Sequence, residues 1–384
     1  MPRNGSGNFS LGRRMMEDAT KEESEKRLEM VQVLEALKQA TQEIQRQQTS
    51  DSPAIKALLE LQSILSSADP NLSALSDHLN RLKTLVHSLN HSKGLLSFLT
   101  RPLATHSLSR VAASIESEIE AWIHRETLNT LSASLRNPNQ NEEHLVALLT
   151  RFRDRLSQGF NRHLQDLVLK LRLFSSLESV LFDDKSPNRV REQAGLAVAA
   201  LIRFNKDVFV GQVLMGPTIR ALLSMASVLS IEVLCSLIRS IRSPLVDEIE
   251  SNAEIPKVIA MLNSDDLQLR VLAFECVLEI GFFGRKEAVE AMLKEGLVEK
   301  LMELQRSEQG GDLVEIGKQR VFDRHPLASC VAMFAVQLEV GEGLRQREKR
   351  AFKPQILVRV KKASVSDAEA ATIAAEVLWG SSPC

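Results

Sequence analysis

His87 and His91 stand four residues apart, which on a helix puts two imidazoles on one face and could grip a metal ion. No cysteine lies near them, and His78 falls on a different part of the helix, so the pair reads as solvated surface histidines. Four cysteines, Cys235, Cys276, Cys330 and Cys384, could supply thiolates, but none forms a CxxC pair. The first three sit in strongly apolar helical stretches, where a free thiol behaves as a small hydrophobe. No metal site and no cofactor is expected.

Catalytic signatures are missing as well. There is no G-x-x-x-x-G-K-[ST] loop, no G-x-G-x-x-G between strand and helix, no G-x-S-x-G and no H-E-x-x-H. Gly5, Gly7 and Gly12 lie in a polar, unpatterned N-terminal segment, and the carboxylates scatter over polar helix faces. The expectation is a protein that is not an enzyme and has no small-molecule substrate.

One cluster stands out by charge. Residues 345–362, RQREKRAFKPQILVRVKK, carry Arg345, Arg347, Lys349, Arg350, Lys353, Arg359, Lys361 and Lys362 against Glu348 alone. The ordinary reading is a solvated helix face. The functional alternatives are an acidic partner, an anionic membrane, RNA, or a nuclear localisation signal. Phe352 is its single aromatic, which does not make a base-stacking platform.

These residues must be held by helices. Aromatics are only 4% of the 384 residues, Tyr is absent, and Gly and Pro number 17 and 12, a composition that favours helices over a sandwich or barrel. With 48 Lys+Arg against 49 Asp+Glu, the net charge of −1 gives no overall case for a nucleic-acid binder. Residues 1–23 are polar and are expected to be disordered, with no apolar core of a signal peptide. Neither myristoylation nor prenylation is expected, since position 2 is Pro and Cys384 is the last residue. The most apolar stretch, 218–241, contains Arg220, Glu232 and Arg239 and reads as buried helix rather than a membrane span. A reducing compartment is expected: the cytoplasm, with the nucleus as a second location.

In the first half, apolar residues recur every three or four positions. The stripes are Met30, Val33, Leu37, Ala40, Ile44; Leu72, Leu75, Leu79, Leu82, Val86, Leu89; and Leu108, Val111, Ile115, Ile119, Trp122. Two more follow: Leu145, Leu148, Phe152, Leu156; and Leu164, Leu167, Leu171, Phe174, Leu181. Each must bury one face, so a helical bundle over 24–183 is expected. The segment 183–188 reads as linker and domain boundary.

From 188 onward the chain repeats. AGLAVAAL from Ala194, LCSLIRSI from Leu234 and AFECVLEI from Ala273 overlay without gaps at offsets of 40 and 39. The shared columns include Ala197, Leu237 and Cys276, then Val198, Ile238 and Val277. More degenerate copies begin at Ala328 and Ala371, with 306–325 as an inserted loop.

The run EIPKVIAMLNSDDLQLRVLAFECVLEIG (254–281), followed by EGLVEKLMEL (295–304), resembles the armadillo repeat, with its Ser-Asp turn and Ala-rich third helix. AATIAAEVLWG (370–380) is similar to the closing repeat of many plant armadillo proteins. The resemblance implies an all-α protein: an N-terminal helical bundle, then a right-handed α-solenoid of about five armadillo-like repeats over 188–384. HEAT repeats are the near alternative. It also implies a groove lined by the third and seventh positions of each segment. These are Leu196 and Ala200, Ser236 and Ser240, Glu275 and Glu279, Cys330 and Phe334, and Ile373 and Val377. None of these pairs is the Trp/Asn pair of nuclear-import adaptors, so nuclear-signal recognition is not implied. Glu275 and Glu279 read as a solvated face or as an acidic rung for a basic segment. The U-box that many plant relatives carry, with its Cys-Pro-Ile and Asp-Pro-Val pattern, is absent from the sequence.

The function expected is a protein–protein interaction scaffold holding a partner segment in the solenoid groove. One alternative is a regulator of ubiquitin transfer. The other is a peripheral membrane or nucleic-acid adaptor working through 345–362.

Overall fold

The computed structural model describes residues 30–31, 33–42, 56, 58, 73–91, 97–309, 327 and 329–379. The expected disordered tail, 1–23, lies outside them. The described residues are helices and turns, with no strand among them. In chain order the numbered helices are α1 (Ser73–His91), α2 (Ser97–Leu135), α3 (Glu142–Ser157), α4 (Arg162–Lys170), α5 (Leu173–Phe182) and α6 (Asn188–Phe204). Next come α7 (Lys206–Met215), α8 (Thr218–Met225), α9 (Val228–Ile241), α10 (Ser243–Ser251), α11 (Ile255–Met261) and α12 (Leu267–Phe283). The last are α13 (Lys286–Lys294), α14 (Leu297–Gln309), α15 (Cys330–Val340), α16 (Gln346–Ala363) and α17 (Asp367–Trp379).

Two compact units emerge. One runs to Ala133 and includes Asn161–Leu171; the other combines Ser134–Phe160 with the chain from Arg172 onward. This corrects the expected boundary at 183–188, which is a tight turn inside the second unit. Asp183 accepts from the Lys185 amide and the Ser186 hydroxyl, and buried Arg191 donates to the Leu181 carbonyl and pairs with Asp184. A polar run can be a turn as readily as a linker, and only packing on both sides separates the two.

The first unit is built as its stripes require. Leu75, Leu79 and Leu82 of α1 share a buried core with Leu108, Ile115, Ile119 and Trp122 of α2. The helical residues 30–31 and 33–42 join it, with Leu37 buried and Met30 and Ala40 packed against the cluster as expected. Among the described residues of that stripe Val33 alone departs, being exposed, while Val31 and Leu34 are buried beside Leu37. Lys38–Glu120 at 3.2 Å and Gln42–Glu116 at 2.7 Å brace the edge of that packing.

The second unit is a stack. Helix α6 packs on α3 and α9, α9 on α12, α12 on α15, and α15 on α17, which makes one continuous row of helices. The predicted columns are its spine: Ala194, Leu234 and Ala273 are wholly buried, as are Val198, Ile238 and Val277. Each helix in the row buries one side on the helix before and the other on the helix after, the rule for a solenoid. An α-solenoid is therefore the fold of this unit. The row begins earlier than the repeat suggests. Helix α3 buries Leu145, Leu149, Phe152 and Leu156, and its Arg153 reaches Gln193 of α6 at 2.8 Å. Its Leu- and Arg-rich sequence does not match the Ala-rich columns, so the overlay misses it.

Two further corrections are local. The stripe from Leu164 to Leu181 is two helices broken at Arg172, whose φ of 50° is left-handed and ends α4 without Gly or Pro. The apolar run 218–241 is also two helices, α8 and α9, separated by left-handed Ala226 and a capping box between Ser227 and Ser230. Among the described residues no single helix is long and apolar enough to cross a membrane. Helix α14 continues to Gln309, so the first four residues of the expected insert, 306–309, are helical.

Candidate partner-binding groove

The open face of the helix row is where side chains from successive repeats meet solvent. At its centre, Arg239 of α9 reaches across to α12. Its Nε donates to Glu279 Oε1 at 2.6 Å, and a second guanidinium nitrogen reaches Glu275 Oε2 at 3.5 Å. The Glu279 carboxylate holds the guanidinium above its ordinary range. The two acids are thus bridged rather than left as a bare acidic rung, and the unfavourable i,i+4 repulsion between them is offset.

Around this rung lies a cleft of about 400 Å³ lined by Arg239, Glu275, Leu278, Glu279, Phe282, Phe283 and Gln337. The rings of Phe282 and Phe283 meet edge-on, 4.8 Å between centroids, and the Arg242 guanidinium sits 5.9 Å from the Phe283 ring centre. Its floor is drawn together by the chain after α15. The Glu342 and Gly343 amides both donate to the Phe282 carbonyl, at 2.7 and 3.0 Å. The approach is so close that a Cβ on Gly343 would stand 2.1 Å from the Gly284 carbonyl oxygen. Apolar walls around a charged rung suit a segment that buries one or two apolar side chains and hydrogen-bonds beside them.

A second cleft, of about 420 Å³, opens between α3 and α6. Phe160, 64% exposed, lies 5.6 Å from the Phe204 ring, with Arg203 and Ala200 beside them. Both clefts lie in the second unit, on helices of the same row.

The structure sorts the expected groove residues into two sets. Glu275 and Glu279 line the central cleft and Ala200 the other. Leu196, Ser236 and Ser240 are partly exposed, and the carbonyl of Ser240 accepts from Lys206 at 3.2 Å. Cys330, Phe334, Ile373 and Val377, by contrast, are buried and do not line a groove. The register assumed for the last two segments is wrong for these residues. Apolar side chains turn toward the neighbouring helices, so α15 presents Met333, Val336 and Gln337 instead, the first and third lying three residues beyond the expected positions. Leu278 and Phe282 were missed as well. The signal that finds them is that α12 is apolar nearly all round, with more apolar positions than its two packed sides can bury.

Under the cleft, Cys235 and Cys276 touch between α9 and α12, both buried. Contact with the Cys235 thiol, together with burial, holds the Cys276 thiol well above its ordinary range. Such thiols are inert packing groups. His87 is exposed, and among the described residues no group of three or more His, Cys, Asp or Glu side chains converges as metal donors.

The basic run is helix α16. Phe352, Ile356 and Val360 are buried, Lys349 donates to the Gly341 carbonyl at 2.7 Å, and Lys353 pairs with Glu339 at 3.2 Å. Arg359 donates to the Gln355 carbonyl, while Arg345, Arg347, Arg350, Lys361 and Lys362 are exposed.

No family model matches the sequence, and no curated protein matches it. Among solved structures, a designed armadillo repeat protein is 16% identical, with 65% of this chain and 98% of that chain covered and a TM-score of 0.42. A design of the same kind in complex with the peptide (KR)4 gives the same values. An engineered protein covering 85% of this chain and 80% of its own is 13% identical, with a TM-score of 0.44. The stacked row of helices is visible in this chain's own packing, independently of these likenesses.

Proposed function

We propose that the chain is a non-enzymatic scaffold of armadillo type that binds an extended or helical segment of a partner protein along the open face of its helix row. The observation that carries this reading is the central cleft. Leu278, Phe282 and Gln337 are offered to solvent beside the Arg239–Glu279 rung, on the face where consecutive repeats converge. An apolar anchor would supply most of the affinity, and the charged rung would fix register. The buried free thiols Cys235, Cys276 and Cys330 fit a reducing compartment such as the cytoplasm.

The test is to express tagged wild-type chain, Leu278→Asp and Phe282→Ser in cells, and to compare the proteins labelled in proximity to each. The reading expects a set of neighbours lost in both variants while far-UV circular dichroism and thermal unfolding stay close to wild-type values. An unchanged set with intact folding discards the cleft as the binding site.

A further inference from the structure

We infer that the outward face of α16 is a second docking surface, separate from the cleft, for an acidic peptide segment of a protein partner. Arg347, Arg350, Pro354, Val358 and Lys361 follow at spacings of three, four, four and three, which is a single helical stripe, and every one is exposed. Lys362 lies beside the last of them and is exposed too. Phe352, Ile356 and Val360 are buried on the opposite side of the same helix and hold the stripe outward. The distance from Arg347 to Lys361 is roughly 21 Å at the α-helical rise. Two cationic ends therefore flank a middle of Pro354 and Val358, the latter 68% exposed.

What marks this surface is four uncompensated cations gathered on a single helix. Some cations of the second unit are matched within the fold, as in Arg220–Glu254, Arg285–Asp247 and Arg306–Glu369. Others, such as Arg189 and Lys294, are exposed without an ion pair among the described residues but stand on separate helices. Within α16 itself, Lys353 is matched by Glu339. Arg347, Arg350, Lys361 and Lys362 have no ion-pair partner among the described residues, and the helix's one acid, Glu348, is turned to the Arg345 amide at 2.8 Å. A stripe free of acid on a rigid helix asks for carboxylates from outside.

The pattern favours a peptide over the other polyanions. The one aromatic of the helix, Phe352, is 2% exposed, so there is no ring on which a base could stack. Val358 is the one large apolar side chain of the stripe, too little surface to seat in a bilayer. A helical segment with carboxylates at both ends and an apolar middle matches the order of the stripe, with Val358 packed at the crossing.

The experiment uses the full chain and fluorescence anisotropy at about 0.15 M salt, where weak ionic contacts are screened. The probe is a synthetic peptide of about 16 residues, near 24 Å as a helix, with glutamates at both ends and leucine and alanine between. Its control has the same composition in scrambled order. The ordered peptide is expected to bind about tenfold tighter than the scrambled one. Arg347→Gln, Arg350→Gln, Lys361→Gln and Lys362→Gln combined are expected to weaken it by at least about tenfold, and Val358→Asp to weaken it also. Leu278→Asp in the cleft is expected to leave it unchanged, so failure here and failure of the cleft reading are distinguishable. Equal binding of ordered and scrambled peptides, or of wild type and the fourfold variant, overturns the inference. So does competition by phosphatidylserine vesicles or oligouridine that is stronger than competition by the unlabelled peptide.

Discussion

Arg239 and Glu279 are 40 residues apart in sequence and 2.6 Å apart in space. The same separation recurs in the hydrogen bonds from Arg153 to Gln193, from Thr218 to Glu178, and from Ser243 to the Phe283 carbonyl. A bond at that interval links one repeat to the next at an equivalent place, so polar side chains lock the register that the apolar spine alone would leave free to slide.

The Arg239 rung is half-exposed, which limits its worth. Arg239→Ala should cost only about 0.2–1 kcal/mol in urea unfolding, part of it from the restored repulsion between Glu275 and Glu279. A double-mutant cycle with Glu279→Gln isolates the pair. A coupling indistinguishable from zero would show that the rung adds nothing to stability.

Phe334 and Leu278 should part company. Phe334 is wholly buried against Gly281, where an added Cβ would lie 3.2 Å from its ring. Phe334→Ala should destabilise the second unit by about 3–5 kcal/mol. Leu278→Asp, at a half-buried cleft wall beside Glu275, should cost far less, on the order of 1 kcal/mol, and change partner capture instead. A loss of stability as large at Leu278 as at Phe334 would mean that the cleft is simply core.

Gly343 is required by backbone proximity rather than by its own dihedral freedom. A Cβ there meets the Gly284 carbonyl at 2.1 Å, so Gly343→Ala must push the segment after α15 off the end of α12. The expected cost is about 1–3 kcal/mol by chemical denaturation. Hydrogen exchange should report faster opening at the Glu342 and Gly343 amides first.

Two carboxylates should shift stability in opposite senses with pH. Burial raises Glu178 above its ordinary 4.5, against lowering hydrogen bonds from Thr218. Its stabilising contribution is full below that value and is lost as pH rises through the elevated one. Arg306 first, and the Val365 amide second, hold Glu369 below 4.5, so its contribution is present above that value and is lost as pH falls through the depressed one. Glu178→Gln should therefore raise the melting temperature at neutral pH, and Glu369→Gln should lower it. Both differences should shrink below 4.5, as followed by calorimetry across that range. A pair of differences with the same sign at neutral pH would refute the assignment.

The buried thiols provide a measure of cooperativity. In a Cys384→Ser background, Cys235, Cys276 and Cys330 should react with a disulfide reagent no faster than the second unit unfolds. Rapid labelling of one of them in native buffer would expose a local opening between the helices that bury it.

Periodicity alone determines a good deal here. A run such as Leu75, Leu79, Leu82 has one way to satisfy its apolar side, and columns repeating every 40 or 39 residues have one economical arrangement, a stack. Those inferences hold because burial of apolar surface depends on residue type and spacing, both of which are written in the chain. Where the stack begins, and which side chains its open face presents, are decided only by the folded neighbours. Arg153 and Gln193 bring α3 into the row although its sequence breaks the columns. Phe334 and Cys330 sink inward while Met333 and Gln337 turn out, because a rotation of one helix by a fraction of a turn is chosen by the packing of both flanking helices at once. That choice is a property of three helices together, and no single segment carries it.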